Sequence, residues 1–354
     1  ITETLSDVQL GGAFRFNYVY QDWNSPVKAR EGDMTFDIFR LDVNGSISDV
    51  LISAQYRWYS YMDVIHHGWV GYDFTDSLQC QLGVTQVPFG LLPYASHNWW
   101  FGVPYYIGLE DDYDMGLKAI WEEGPINLQL AFFKNAEWGN PAKLDRYSFD
   151  VVTVGDQTNE ETNQINARAA YTLDHGDLGS TELGVSGELG QLYNQTTDDT
   201  GNHWAAAAHL NGNYGRFNVQ LEVARYEYDP KNPAGVSDET VEMGAFLDAY
   251  PVAAEGTVLV ANVAYGLPVD FGPVSKLTFY NDFSLLDKSE SGFKDSQINT
   301  TGCMISAGPL YTYVDVIVGR NAAWLGTGND ALASAAASDN GLHTRFNVNF
   351  GYYF

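Results

Sequence analysis

No run of this sequence approaches the roughly 18 consecutive apolar residues that a membrane-crossing helix needs. Apolar and polar side chains instead alternate with a period of two along most of it. The first such segment places Val8, Leu10, Phe14, Phe16, Tyr18 and Tyr20 on one face and Gln9, Gly11, Ala13, Arg15 and Asn17 on the other. A strand of this kind buries its apolar face in a soluble core or turns it outward into lipid. Only helices and closed barrels satisfy every backbone hydrogen bond inside a bilayer. If this chain crosses a membrane, it must do so as a barrel.

Sixteen segments carry the alternation, at about 8–20, 34–47, 50–60, 63–74, 77–87, 114–123, 125–135, 163–173, 181–193, 203–214, 216–228, 256–267, 274–286, 296–306, 309–319 and 342–354. The stretch 240–250 also looks strand-like. An even count keeps both chain ends on the periplasmic side, so that stretch is assigned to the loop before the twelfth strand or to an extension of that strand. Short links such as Ile47–Val50, Glu122–Pro125 and Asn213–Arg216 alternate with long ones at 21–33, 88–113, 136–162, 229–255 and 320–341. Short periplasmic turns and long outer loops produce this rhythm in outer-membrane barrels. The expected fold is all-β, a single domain over 1–354 forming a sixteen-stranded antiparallel transmembrane barrel.

Composition agrees with this reading. The 23 Tyr, 19 Phe and 9 Trp suit aromatic girdles at the two membrane surfaces. The net charge of −27 leaves no basic footprint for nucleic acid. Acidic loops on a cell surface, bridged by divalent cations, would hold such charge. No leader precedes Ile1, which suggests a mature exported form. The last ten residues, Arg345 to Phe354, alternate and end in Phe. They resemble the C-terminal signal of bacterial outer-membrane proteins.

Residues 36–120 resemble the phosphate/pyrophosphate-selective porin family. The resemblance lies in Phe39-Arg40-Leu41-Asp42-Val43-Asn44-Gly45, in Val64-Ile65 through Gly71-Tyr72-Asp73-Phe74, and in Leu82-Gly83-Val84-Thr85-Gln86-Val87-Pro88-Phe89-Gly90. Phe279-Tyr280-Asn281-Asp282-Phe283-Ser284 matches a further recurrent strand. The resemblance implies an outer-membrane homotrimer with the third loop folded into the pore. Its namesake chemistry does not carry over, because an anion pore needs cationic donors and here 18 Lys and Arg face 45 acids.

Long structureless loops are usually functional. Segment 88–113 is therefore the expected constriction loop, with Tyr94, Trp99, Trp100, Phe101, Tyr105 and Tyr106 as its aromatics; a plain surface loop or a trimer contact is the simpler alternative. By alternation Arg15, Arg40, Arg57 and Arg345 point into the lumen from adjacent staves. Glu182, Glu188 and Glu222 point inward from the opposite wall, and the loop ends in Glu110-Asp111-Asp112. Opposed clusters would set up a transverse field; the alternative is that they only keep the lumen wet. Phe36 and Ile38 share a face with Arg40, a conflict that a β-bulge would resolve. Glu110, Asp111, Asp112 and Asp114 form a Ca²⁺ candidate, with a solvated acidic turn as the alternative. His66 and His67, adjacent on a strand, are expected to face opposite sides. Cys80 and Cys303 fall on distant strands and are not expected to pair.

No nucleotide loop, zinc helix or nucleophile elbow is present. The expected function is therefore non-enzymatic: passive diffusion of small polar solutes and ions through a water-filled pore in the bacterial outer membrane. An anion (phosphate)-selective channel using the Arg wall and a non-conducting adhesin or structural barrel are the alternatives.

Overall fold

A computed structural model describes residues 8–326, 332 and 341–354. Among these lie nineteen strands. They are β1 (Gln9–Gln21), β2 (Asp33–Ile47), β3 (Val50–Tyr59), β4 (Asp63–Thr75), β5 (Leu78–Gln86), β6 (Tyr113–Glu123), β7 (Ile126–Ala136), β8 (Asp150–Val151), β9 (Asn159–Asp174) and β10 (Ser180–Asn194). Then follow β11 (Asp199–Tyr214), β12 (Phe217–Asp229), β13 (Thr240–Ala245), β14 (Asp248–Ala253), β15 (Glu255–Phe271), β16 (Val274–Lys288), β17 (Ser296–Ala307), β18 (Leu310–Arg320) and β19 (His343–Tyr353).

Sixteen of these strands close into one antiparallel barrel, sealed where β1 pairs with β19 from Ala13↔Tyr353 to Gln21↔Arg345. Closure leaves no barrel strand edge unpaired. Each alternating segment read from the sequence coincides with one barrel strand. The 240–250 stretch lies in the link before the twelfth barrel strand, β15, the first of the two places the sequence allowed; there it forms the hairpin β13–β14, which joins β8 in a separate three-stranded sheet. The link 320–341 lies largely outside the described residues.

The barrel is inverted relative to a soluble protein. Leu82, Leu117, Leu130, Val185, Leu189, Leu221 and Val263 are exposed on its outer wall. Gln55, Gln81, Asn166, Arg168, Glu188, Asn262 and Asp282 are buried inside. Water cannot drive both placements, whereas hydrocarbon outside and a polar lumen drive both. β11 shows the mechanism: His203, Ala205, Ala207 and His209 turn inward while Trp204, Ala206 and Ala208 turn outward. A row of rings, Phe354–Phe14–Phe39–Trp58, crosses the outer wall with centroids 5.0 to 5.9 Å apart.

Tight links need backbone that doubles back. At the β2–β3 turn Ser48 and Asp49 both take positive φ, 50° and 67°, which matches the twist of the flanking strands. The apolar core joins the links between strands to inward wall residues such as Phe133, Leu192, Tyr226 and Val258. Val103, Tyr106, Ile107 and Leu109 pack with Phe149 and Val151 of the 137–158 link, with Met243, Tyr250 and Val252, and with Ala322, Ala323 and Leu325. Tyr250 Oη donates to the Tyr106 carbonyl at 2.8 Å. Cys80 and Cys303 are free thiols.

Candidate functional site

Inward polar residues of the barrel wall bond to segment 87–112, which links β5 to β6. Ser186, Glu222, Asn262, Asp282 and Ser284 are all buried on the inner face. Each bonds to the backbone of this loop. Gly90 N–H donates to Ser186 Oγ at 2.9 Å and Leu91 N–H to Glu222 Oε2 at 2.7 Å. Asn262 Nδ2 donates to the Ala95 carbonyl at 2.7 Å. Val103 N–H donates to Ser284 Oγ at 2.8 Å, and Arg168 Nε to the Gly90 carbonyl at 2.9 Å. Asp282 holds the centre, accepting from His97 N at 2.7 Å, Asn98 N at 3.0 Å and Asn98 Nδ2 at 2.8 Å. Its Oδ1 also meets His97 Nδ1 at 2.7 Å. Buried polar backbone needs partners, and these side chains supply them.

On the loop's other side is a cavity of about 1010 Å³. Arg15, Arg40, Arg57 and Arg345 all line it, as do Tyr94, Trp99, Trp100, Phe101, Tyr105 and Tyr106. The guanidiniums lie over rings: Arg345 is 4.2 Å from the Trp100 centroid, Arg57 4.4 Å from Tyr147, Arg40 5.3 Å from Tyr353 and Arg15 5.9 Å from Trp99. Stacking of this kind holds the cations in place while leaving N–H groups for a solute. Arg15 Nε pairs with Asp37 at 2.8 Å, and Arg40 Nη2 with Asp42 at 2.8 Å. Asp37 is the bulge residue: β1 pairs Arg15 with Ile38 but Phe16 with Phe36, skipping Asp37. That extra residue turns Phe36 outward while Ile38 and Arg40 stay inside, which resolves the conflict in the sequence. Asp37 and Asp248 are the acids lining the cavity.

The sequence-predicted carboxylates are not among the cavity's lining. Glu110 folds back on its own loop, accepting from Ala95 N at 2.8 Å and Ser96 Oγ at 3.2 Å. Asp111 accepts from Tyr147 Oη at 2.5 Å. Burial pushes its carboxyl pKa up to about 7, despite the Tyr147 bond and Arg57. Glu182 pairs with Arg168 at 2.6 Å and lies 3.1 Å from His209. Glu188 accepts from Asn166 at 2.9 Å and lies 3.3 Å from His203. Glu222 is occupied by Leu91 N. Arg15 and Arg345 thus face the loop's aromatic rings, Arg57 faces Tyr147 and Arg40 faces Tyr353, while Glu182, Glu188 and Glu222 are engaged by other groups.

Two further readings change. The Ca²⁺ candidate quartet is split: Glu110 and Asp111 point elsewhere, while Asp112 and Asp114 gather with Asp150. His66 and His67 do not face opposite sides. β3 pairs Gln55 with His67 and Tyr56 with Ile65, so His66 is a bulge residue. Their Nδ1 atoms come within 2.9 Å of each other. Sequence reasoning missed Asp37, Tyr147, Asp150, Arg168 and Asp282. Alternation on β9 and β16 does place Arg168 and Asp282 inward; Tyr147 and Asp150 sit in a link with no readable period.

No family model matches the chain, and no curated protein is similar to it in sequence. Solved structures are similar in fold. The outer membrane channel DcaP of Acinetobacter baumannii has 13% identity, covering 98% of this chain and 97% of that one, with a TM-score of 0.61. OmpT of Vibrio cholerae in its trimer form has 12% identity, covering 98% and 99%, with a TM-score of 0.59. The anion-selective porin from Comamonas acidovorans has 13% identity, covering 98% and 99%, with a TM-score of 0.55. The chain therefore has the fold of the outer-membrane porins. The narrower phosphate-selective family is not supported by any of these likenesses.

Proposed function

We propose that this chain is a porin of the Gram-negative outer membrane, a passive, non-enzymatic path for small polar solutes and ions. One observation carries the reading: a closed sixteen-stranded barrel with an apolar outer wall and a polar interior holding a cavity of about 1010 Å³. Segment 87–112 is the constriction, folded into the lumen against the far wall. Its backbone bonds to Ser186, Glu222, Asn262, Asp282 and Ser284 support this. Lipid covers the exposed Leu, Val and Phe belt, and the trimer of the Vibrio neighbour is the assembly proposed here.

A second reading concerns charge, and a specific observation favours it. The chain carries −27 overall, yet the cavity is lined by four arginines and two aspartates. Field at a constriction is set by nearby fixed charge, because distant exposed charge is screened within about 8 Å at physiological salt. Small anions are therefore favoured over cations at the narrowest point. Reversal potentials across a KCl gradient test this: the expected sign is chloride preference, and a clear potassium preference would refute it. A non-conducting adhesin would show no current at all.

A further inference from the structure

Behind the loop, where its neck closes through Val87 N–H and the Asp112 carbonyl at 2.9 Å, carboxylates crowd together. Asp112, Asp114 and Asp150 each offer an oxygen, all within 4.8 Å of one another. Glu137, Glu161 and Glu188 lie close enough to act electrostatically on Asp112. The basic groups facing this cluster among the described residues are Arg146, 3.0 Å from Asp150 Oδ2 and 3.7 Å from Glu137 Oε2, and His203, 3.3 Å from Glu188. Gln164 Nε2 adds one weak donor to Asp114 Oδ2 at 3.3 Å. Six carboxylates thus face one guanidinium and one imidazole.

A second observation is independent of this crowding. Three buried oxygens here have no hydrogen-bond partner: Asp114 Oδ1, Asp150 Oδ1 and Glu137 Oε2. Their residues are 2%, 1% and 3% exposed. Glu137 is outside the trio, and it lies against Asp150. Buried carboxylate oxygens without donors are costly. Among the described residues no donor reaches these three oxygens within hydrogen-bond distance; Arg146 Nη1 stands 3.7 Å from Glu137 Oε2.

We propose that Asp112, Asp114 and Asp150 bind a hard divalent cation, Ca²⁺ in preference to Mg²⁺, with Glu137 completing the charge. Oxygen-only donors select hard ions. Ca²⁺ takes about 6–8 oxygens, several of them carboxylates, whereas Mg²⁺ keeps several waters and takes one or two carboxylates, so three gathered aspartates with a fourth acid beside them favour Ca²⁺. The ion ties the neck of segment 87–112 and the first residues of β6 to β8 in the 137–158 link. The cation therefore clasps the exit of the constriction loop, behind the cavity rather than in it.

The test is Ca²⁺ titration of the full, detergent-folded chain after chelation, read by Tb³⁺ luminescence displacement and by thermal unfolding. Wild type should show a saturable site and a higher Tm with Ca²⁺ than with EDTA. Asp114→Asn and Asp150→Asn should weaken that site about tenfold or more, while the exposed-acid control Asp270→Asn should not. Equal titrations for wild type and both variants would overturn the proposal and leave shared protons holding the carboxylates. Should both variants fail to fold, Tb³⁺-soaked wild-type crystals decide. An anomalous peak among Asp112, Asp114 and Asp150 supports the site, and peaks only at exposed acids overturn it.

Discussion

Replacing Asp282 with alanine removes four contacts to segment 87–112 at once, those to His97 N, His97 Nδ1, Asn98 N and Asn98 Nδ2. Hydrogen bonds to a charged acceptor contribute about 1.5–3 kcal/mol each. Orphaning the partners of a buried charge costs about 3–5 kcal/mol in total, since such bonds do not add. Gln220 and Asn262 still hold the Tyr94 and Ala95 carbonyls, and Ser284 still holds Val103 N–H. The loosened stretch is therefore 96–102, which carries the rings under Arg15 and Arg345. The barrel's ladders are untouched, so global melting should fall little. In planar bilayers Asp282→Ala should give larger and noisier open steps than wild type, and Asp282→Asn, which keeps one acceptor oxygen, should fall between. Burial lowers the His97 pKa, but the bonds to Asp282 and Asn218 more than offset this and hold it above the usual value. That ion pair is complete below about pH 6.5, the unfolded value, and is lost as pH rises through the raised folded value. Wild-type noise should therefore grow at alkaline pH. A folded Asp282→Ala channel with wild-type conductance and wild-type noise would refute the reasoning.

Three other outcomes follow from the same geometry. Arg345→Gln removes one of the four cavity guanidiniums and should shift the KCl reversal potential toward cations while leaving secondary structure unchanged by circular dichroism. Gly90 takes φ +55°, and a β-carbon there would sit 2.3 Å from Glu222 Oε2. Gly90→Ala should cost about 1–3 kcal/mol in local strain and lower the denaturant midpoint. Asp111, with its folded pKa raised to about 7, stays protonated where the unfolded carboxyl is already ionised, near 3.9. Stability from this group is therefore full below about pH 4 and is lost as pH rises to about 7. Over the last part of that range its new charge beside Arg57 should reduce anion preference, a step that Asp111→Asn should flatten in reversal-potential titrations.

Period-two alternation made the barrel readable because hydrocarbon and lumen impose opposite demands on successive residues. It located all sixteen barrel strands; Arg15, Arg40, Arg57 and Arg345 line the cavity. It failed where the period breaks. The bulge at Asp37 placed an unforeseen acid beside Arg15, and the bulge at His66 put two imidazoles on one side. Loops carry no period, so the sequence could not tell that Glu110 folds onto Ala95 and Ser96 and Asp111 onto Tyr147, or that Asp150 joins Asp112 and Asp114. The 240–250 stretch reads as strand because it carries most of the hairpin β13–β14. Only three-dimensional packing decides that it pairs with Asp150–Val151 rather than with the wall.

Conduction requires an open, water-filled path between the guanidinium wall and the aromatic face of the loop. Single-channel recording of the purified, detergent-folded protein in planar bilayers tests it most directly. Steady ohmic steps whose size scales with salt concentration are the predicted result. A folded barrel that inserts into the bilayer and passes no current would contradict it.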